Sequence, residues 1–302
     1  MPVDWVSVAV LSAAVLGLVN IVDSHLISRR MPSLRAFLLL IGIVHLIYGS
    51  VLFNLFPLPE GIGTWPLTVA IASGILRTGA ITILLYSLKR EEVSRVIPVV
   101  YTYPVFVAIM AALLLGETLY YLQWIAIIIV VSGAVMVSAR KSPNGSATWL
   151  GKPLLLLFSS SLLFAMADIA SKYALAYISF WNMFWFGAFC ISGIFLLASI
   201  RPHIIRQLSN MKQRSSTIAL VALNETLAPI GIVLLFWAMQ RGPVSLVSTV
   251  VSSRPIFVFI YALIISRVSP MFLEYQPGKA MLALRLIAIT MIFGGIAIIY
   301  LT

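Results

Sequence analysis

Long apolar stretches separated by short polar connections run through the whole chain. A helix needs about 20 mostly apolar residues to cross the hydrocarbon core of a membrane. Ten stretches meet this requirement, and we number them spans 1 to 10: residues 5–27, 34–56, 65–87, 93–115, 120–138, 153–175, 181–200, 216–239, 243–266 and 280–300. The pattern therefore predicts an all-α integral membrane protein with ten transmembrane helices.

The composition agrees with this prediction. Of the 302 residues, 61% are hydrophobic and only 10% are charged, whereas about a quarter of the residues in a soluble domain are charged. The formal net charge of +11 would also suit a nucleic-acid-binding protein. In membrane proteins, however, basic residues gather in cytoplasmic loops and contact anionic lipids. We therefore expect membrane lipids as partners and no nucleic acid.

Basic residues also predict how the spans are oriented. The loops between spans 1–2, 3–4, 5–6, 7–8 and 9–10 hold fifteen lysines and arginines: Arg29, Arg30, Arg35, Lys89, Arg90, Arg95, Arg140, Lys141, Lys152, Arg201, Arg206, Lys212, Arg214, Arg267 and Lys279. The loops on the opposite side hold only Arg241. Because positive residues stay on the cytoplasmic side, we expect these five loops to be cytoplasmic and both termini to be external.

Two segments that lie 151 residues apart are similar in sequence. "VVYTYPVFV" at 99–107 returns as "VVSSRPIFV" at 250–258, with aligned prolines at 104 and 255. The repeat predicts a first five-helix unit at 1–138, a cytoplasmic connecting loop at 139–152 and a second unit at 153–302. Because each unit has an odd number of spans, the second is predicted to insert upside down. Secondary transporters have this plan, with the binding site near the midplane between the repeats.

Residues 87–137 carry a family resemblance. Pro104, the pair Gly116 and Glu117, and the pair Ser132 and Gly133 stand where EamA-type sequences carry them. In these residues the chain resembles the EamA-type, ten-helix branch of the drug/metabolite transporter superfamily. The resemblance implies transport of a metabolite or drug, and it implies cytoplasmic termini, opposite to the charge-based prediction. The second unit departs from the pattern, since it lacks the Gly-Glu pair and Gly295 aligns with Gly133 only at an offset of 162.

Polar side chains inside the spans are the candidate site residues. Ionisable groups at membrane depth are costly, so they mark either a functional site or a structural ion pair. We expect spans 1, 3, 4, 6, 8 and 9 to line the route of the solute. The predicted substrate-binding residues are Asn20, Asp23, Arg77, Tyr101, Tyr103, Asp168, Asn224, Glu225, Trp237 and Arg254.

The acidic candidates leave alternatives open. Asp168 and Lys172 are four residues apart and share a helical face, so they either neutralise one another or act in transport; Lys172 could also reach the membrane interface. Glu225 precedes Pro229 by four residues, which frees the Glu225 carbonyl from its helical hydrogen bond. It is either a proton-relay group or the salt-bridge partner of Arg77 or Arg254. We predict that Asp168 and Glu225 are the coupling residues.

Arg254 replaces the Tyr103 of the first repeat near the centre of span 9. A charge at that depth costs about 2.5–3.5 kcal/mol on insertion scales, so something must compensate it. An acidic partner, Glu225 or Asp23, would make the arginine structural. An anionic group of the solute, held by the guanidinium fork, would make it the selectivity residue, and this is the interpretation we favour.

The remaining polar residues have simpler interpretations. Tyr101, Tyr103 and Trp237 could stack on a planar solute, although packing is the commoner role of such rings. We expect His45 to be a satisfied core histidine and Glu117 to pack against or cap a helix. Arg285 is expected to extend to the membrane interface. Without it, the predicted interior holds three basic and three acidic residues: Arg77, Lys172, Arg254, Asp23, Asp168 and Glu225.

These observations favour a secondary active transporter. The predicted solute is a small polar or charged organic metabolite, amino-acid-like, zwitterionic or anionic, or a drug, moved by alternating access with proton coupling or exchange. A flippase for a lipid or lipid-linked substrate is the alternative. An intramembrane transferase is less favoured, because the acidic residues form no cluster of the kind such chemistry requires. We expect no enzyme activity, no cofactor, no metal and no ATP-binding loop, in a monomer or homodimer.

Overall fold

The computed structural model describes residues 4–90, 96, 99–138, 152–211, 213–268 and 279–302. These residues form helices and turns, and no strand occurs among them. The helices are α1 (Trp5–His25), α2 (Leu34–Leu55), α3 (Thr64–Arg90), α4 (Tyr103–Leu114), α5 (Tyr121–Ser138), α6 (Lys152–Ala174), α7 (Phe180–Ser199), α8 (Pro202–Ser209), α9 (Arg214–Arg241), α10 (Val244–Val251), α11 (Arg254–Val268) and α12 (Lys279–Leu301). A π-helical turn, Leu26–Arg30, extends α1.

The predicted class of membrane protein is confirmed. Among the described residues, eight helical segments are long and apolar enough to cross a membrane, and α4 and α5 are shorter apolar helices. One of the eight, Val244–Arg267, combines α10 with most of α11. The ten-helix count stays a prediction. The predicted loop at 139–152 lies, except for Lys152, outside the described residues, as do Arg95 and Lys212.

The predicted span 4 contains a break before α4. Pro104 occupies the first turn of α4, where its missing N–H has no helical partner to lose. The Thr102 N–H donates to the Val99 carbonyl at 3.2 Å, and the Val105 N–H donates to the Thr102 carbonyl at 3.1 Å. Each of these hydrogen bonds joins residues three apart, as in a 3₁₀ turn, so the α-helix is interrupted here.

The same break interrupts the predicted span 9, between α10 and α11. Pro255 is the second residue of α11, as Pro104 is of α4. The Ser253 N–H donates to the Val250 carbonyl at 3.1 Å, and the Ile256 N–H donates to the Ser253 carbonyl at 2.9 Å. Each of these bonds has its counterpart 151 residues earlier. The local backbone therefore agrees with the offset that the sequence predicted.

Helices of the first half pack mainly against helices of the second half. The largest contacts join α3 to α6, α1 to α9, α2 to α7 and α5 to α12. The contact between α1 and α9 is close at Gly231, whose carbonyl accepts a hydrogen bond from Ser12 Oγ at 2.7 Å. A Cβ atom at Gly231 would lie 2.6 Å from Leu16. The polar residues of both halves consequently meet in the interior of one bundle.

Candidate functional site

Arg77 of α3 and Asp168 of α6 form an ion pair inside the bundle. Arg77 Nη2 lies 2.8 Å from Asp168 Oδ1, and the two side chains are 10% and 2% exposed. The other carboxylate oxygen, Oδ2, accepts a hydrogen bond from Ser248 Oγ of α10 at 2.7 Å. Arg77 also donates to Ser171 Oγ at 3.2 Å. Both oxygens of Asp168 are thus satisfied, and three helices meet at this Arg77 cluster.

Lys172 binds backbone carbonyls and not Asp168, the partner that its spacing suggested. Its Nζ atom donates to the carbonyls of Met239 at 2.7 Å and Gly242 at 2.8 Å. These carbonyls lie at the end of α9, where backbone acceptors lack helical donors. The proposed neutralisation of Asp168 by Lys172 was therefore wrong. Lys172 caps a helix end, and Arg77 neutralises Asp168.

Arg254 is the first residue of α11 and directly follows the break in span 9. Its Nε atom is buried and has no hydrogen-bond partner among the described residues. Within the described part of the chain, neither Glu225 nor Asp23 forms an ion pair with Arg254. The alternative in which an acid makes Arg254 structural is not supported. Tyr101 and Tyr103 lie at the equivalent break of the first half, and Tyr103 reaches across to α10.

Further polar atoms surround the start of α11. Ser253 is 1% exposed, and its hydroxyl has no partner in the described part of the chain. Tyr103 OH donates to the Ser248 carbonyl at 3.5 Å, across the two breaks. Helix α1 approaches closely here, because a Cβ atom at Gly17 would lie 2.9 Å from Phe257 Cβ and 3.4 Å from the Arg254 carbonyl.

Asp23, His45, Asn224 and Glu225 form a second group, which we call the carboxyl cluster. Asn224 Nδ2 donates to Asp23 Oδ1 at 2.7 Å and to Glu225 Oε1 at 3.5 Å. His45 Nδ1 lies 3.6 Å from Glu225 Oε2. Glu225 is 3% exposed. The predicted salt bridge from Glu225 to Arg77 or Arg254 is wrong, because the described contacts of Glu225 are to Asn224 and His45.

His45 has the hydrogen bond expected of a satisfied core histidine. Its Nδ1 atom and the Ile41 carbonyl, one helical turn earlier, are 3.1 Å apart. Because the carbonyl accepts, Nδ1 carries the proton. The proximity of His45 to Glu225 was missed, since the sequence gives no signal that these positions of α2 and α9 face each other.

Asn20 links α1 to the break before α4. Its Nδ2 atom donates to Tyr101 OH at 3.2 Å. Asp23 is three residues further along the same helix and contacts Asn224 of α9. One face of α1 therefore contacts both the broken span of the first half and the carboxyl cluster.

Trp237 is not brought together with these residues. The guanidinium carbon of the exposed Arg241 lies 3.9 Å from the centre of its ring, at the end of α9. The neighbouring Phe236 faces the interior instead, with its ring 5.2 Å from the guanidinium carbon of Arg77. A role of Trp237 in solute binding stays a prediction.

Glu117 caps the first turn of α10. Its carboxylate accepts hydrogen bonds from the Val244 N–H at 2.7 Å, the Ser245 N–H at 3.3 Å and Ser245 Oγ at 2.6 Å. The predicted capping role is confirmed. The capped helix belongs to the other half of the chain, so this carboxylate also joins the two halves.

Arg285 does not extend to the membrane interface as predicted. Its side chain is buried, with the residue 5% exposed, and its guanidinium carbon lies 4.9 Å from the centre of the Phe259 ring. The face of an aromatic ring attracts a cation, which explains why this arginine stays inside. With Arg285 included, the predicted interior residues hold four basic and three acidic side chains. The balance of these side chains is positive.

This fold, with charged and polar side chains enclosed by apolar helices, is that of a multi-pass membrane protein. Residues 4–139 match the EamA-like transporter family. The first half of the chain thus carries a domain of this family, which is part of the drug/metabolite transporter superfamily. The resemblance predicted from residues 87–137 is confirmed.

The fold itself extends over the whole chain. A crystal structure of another protein, 21% identical in sequence, is similar with a TM-score of 0.70 over 98% of this chain and 95% of that chain. At this identity the likeness concerns the fold alone. No curated protein matches the sequence.

Proposed function

We propose that the protein is a secondary active transporter that moves a small organic solute with an anionic group across the membrane by alternating access. The EamA-like domain supports membrane transport. The proposal that the solute is anionic rests on Arg254. This charged side chain lies inside the bundle without an acidic partner among the described residues.

The surroundings of Arg254 suit a carboxylate or phosphate group. A guanidinium binds such groups through two parallel hydrogen bonds. Arg254 also begins α11, and the N-terminus of a helix attracts negative charge. The hydroxyl of Ser253, which has no hydrogen-bond partner among the described residues, supplies a further donor at the same place. Tyr101 and Tyr103 would border a solute held there, in agreement with their predicted place in the site.

Two features support alternating access between inverted halves. The matching breaks in spans 4 and 9 resemble the discontinuous helices that form transporter binding sites near the midplane. The contacts between α1 and α9 and between α3 and α6 each join one half to the other, so a rocking motion would act on the interface that contains the polar residues. Under this proposal residues 1–138 and 153–302 are the two moving repeats.

A ligand screen with matched arginine variants tests the solute site. Purified wild-type protein is heated with separate carboxylic acids, amino acids and organic phosphates, and a compound that binds raises the melting temperature. Arg254→Ala should abolish that rise, and Arg254→Lys should retain a smaller one because lysine lacks the bidentate fork.

Arg241→Ala is the control, since Arg241 is exposed and contacts Trp237. It should keep the wild-type response. An unchanged response of folded Arg254→Ala would refute the role of Arg254. If that variant is not obtained folded, Arg254→Lys decides, because wild-type affinity in the lysine variant would contradict recognition by the guanidinium fork.

A further inference from the structure

The carboxyl cluster places two acids within reach of the same amide. Asn224 Nδ2 donates to both Asp23 and Glu225, at 2.7 and 3.5 Å. No lysine or arginine forms an ion pair with either acid in the described part of the chain. Glu225 is buried and Asp23 is partly buried, and two ionised carboxylates placed close together away from water repel each other and lose hydration. Binding of a positive charge, such as a proton, is therefore favoured at this position.

Other titratable groups on the neighbouring helices have different partners. Tyr48 of α2 is hydrogen-bonded to Thr226, and Arg30 contacts His25 and Gln213 at the end of α1. On α6, Asp168 binds Arg77 and Lys172 binds carbonyls at the end of α9. Arg254 of α11 forms no ion pair with either acid among the described residues, and Cys190 of α7 donates to the Ile71 carbonyl. Of these groups, only His45 lies against Glu225.

The atoms around the two acids suit a proton better than a metal ion. Asn224 directs its NH2 group at both carboxylates, and the His45 nitrogen nearest Glu225 carries a hydrogen. Metal ions such as sodium and calcium require oxygen ligands in place of such donors. Asn224 Oδ1 is buried and lacks a partner among the described residues, so rotation of the amide would let this oxygen accept the O–H of a protonated acid.

The cluster is joined to the proposed solute site through α1. Asn20 contacts Tyr101 at the break before α4, and Asp23 lies three residues further on the same helical face. Gly17 of α1 lies against Arg254 and Phe257. On the other side of the cluster, Pro229 removes the helical hydrogen bond to the Glu225 carbonyl, which permits α9 to bend at this point.

We propose that Asp23 and Glu225 share one exchangeable proton and that this proton couples, through α1, to movement of the solute. Asp168, which the sequence suggested as a coupling residue, is replaced in this role by Asp23 because Arg77 and Ser248 already satisfy its carboxylate. The coupling rests on the transport function proposed above. The proton site stands independently of it.

Infrared difference spectroscopy of the purified protein tests the proton site without any solute. A protonated carboxylic acid has a C=O stretching band that is distinct from the bands of a carboxylate, so titration between acidic and alkaline pH reports on the shared proton. The wild type should show a pH-dependent band. Asp23→Asn and Glu225→Gln should each lose part of it, and the double variant should lose it completely.

Two controls separate this cluster from other acids. Glu60→Gln alters an exposed carboxylate and should change only the part of the spectrum due to exposed groups. Arg254→Ala should keep the band of the cluster, so a failed solute site and a failed proton site give different results. A full wild-type band in the double variant would overturn the proposal.

The choice between a proton and sodium is part of the same experiment. The titration is repeated with sodium chloride and with choline chloride at equal ionic strength. The proton site predicts identical titrations, whereas a shift caused by sodium would overturn assignment of the site to protons alone. If the double variant does not fold, the two single variants decide, because an undiminished band in both would contradict a shared proton.

Discussion

Gly133 of α5 and Gly295 of α12 occupy equivalent positions in the contact between these two helices, because each glycine lies against the helix that carries the other. A Cβ atom at Gly133 would lie 2.9 Å from the Ala288 carbonyl, and one at Gly295 would lie 3.1 Å from the Ala126 carbonyl. Ala288 and Ala126 are 162 residues apart, the same offset that separates the glycines. Each helix thus presents the same contact surface to the other, in agreement with two related halves.

This close approach predicts that both glycines resist substitution. Gly133→Ala and Gly295→Ala should each lower the free energy of unfolding by about 1–3 kcal/mol, because the added methyl group overlaps backbone and side-chain atoms of the facing helix. Denaturation of the detergent-purified variants measures the loss. Gly294→Ala is the control, since a Cβ atom there meets nothing within 4 Å. An equal loss in Gly294→Ala would contradict the packing explanation.

The ion pair of Arg77 and Asp168 predicts a large effect of removing one partner. Asp168→Asn should destabilise the protein by about 3–5 kcal/mol, because it leaves the Arg77 guanidinium buried without a counter-charge. Arg77→Met combined with Asp168→Asn should recover much of the loss, since neither charge then remains. Melting temperatures of the single and double variants measure this coupling. If the effects of the single substitutions merely add in the double variant, the two side chains do not stabilise each other.

The distribution of basic residues predicts the orientation of the chain. Cysteines are introduced separately at Arg206 and Thr302 in a Cys190→Ser background, and intact cells are treated with a membrane-impermeant maleimide. Thr302 should label because the charge distribution places the termini outside, whereas Arg206 should label only after the membrane is made permeable. The opposite pattern would favour the cytoplasmic termini that the family resemblance implies.

Much of the fold could be predicted from the sequence because membrane helices are defined by local properties. Apolar length located the helices, and the repeat aligned Pro104 with Pro255, which directly follow the breaks that the structure shows at Thr102 and Ser253. The break also explains why α4 begins at Tyr103. These features depend on neighbours along the chain, which the sequence displays directly.

The partners of the polar residues could not be predicted in the same way. Lys172 is one turn from Asp168 on the same helix, yet it binds carbonyls of α9. Those carbonyls lack helical donors, and Asp168 is already paired with Arg77. Arg285 is near the start of its span but is held inside by the ring of Phe259. The partner of each side chain depends on which helices face each other. Composition and spacing within one helix do not show which helices are neighbours.

The two breaks have an electrical consequence. Helices α4 and α11 both begin at a break inside the bundle, at Tyr103 and Arg254. The aligned peptide dipoles of each helix place roughly half a positive charge at its N-terminus. At the break in span 9 this charge lies beside the opposite partial charge at the C-terminus of α10, which ends at Val251. The backbone there supplies a local dipole and no net charge. A variant that lacks the Arg254 guanidinium would retain this dipole, since no side-chain substitution removes it.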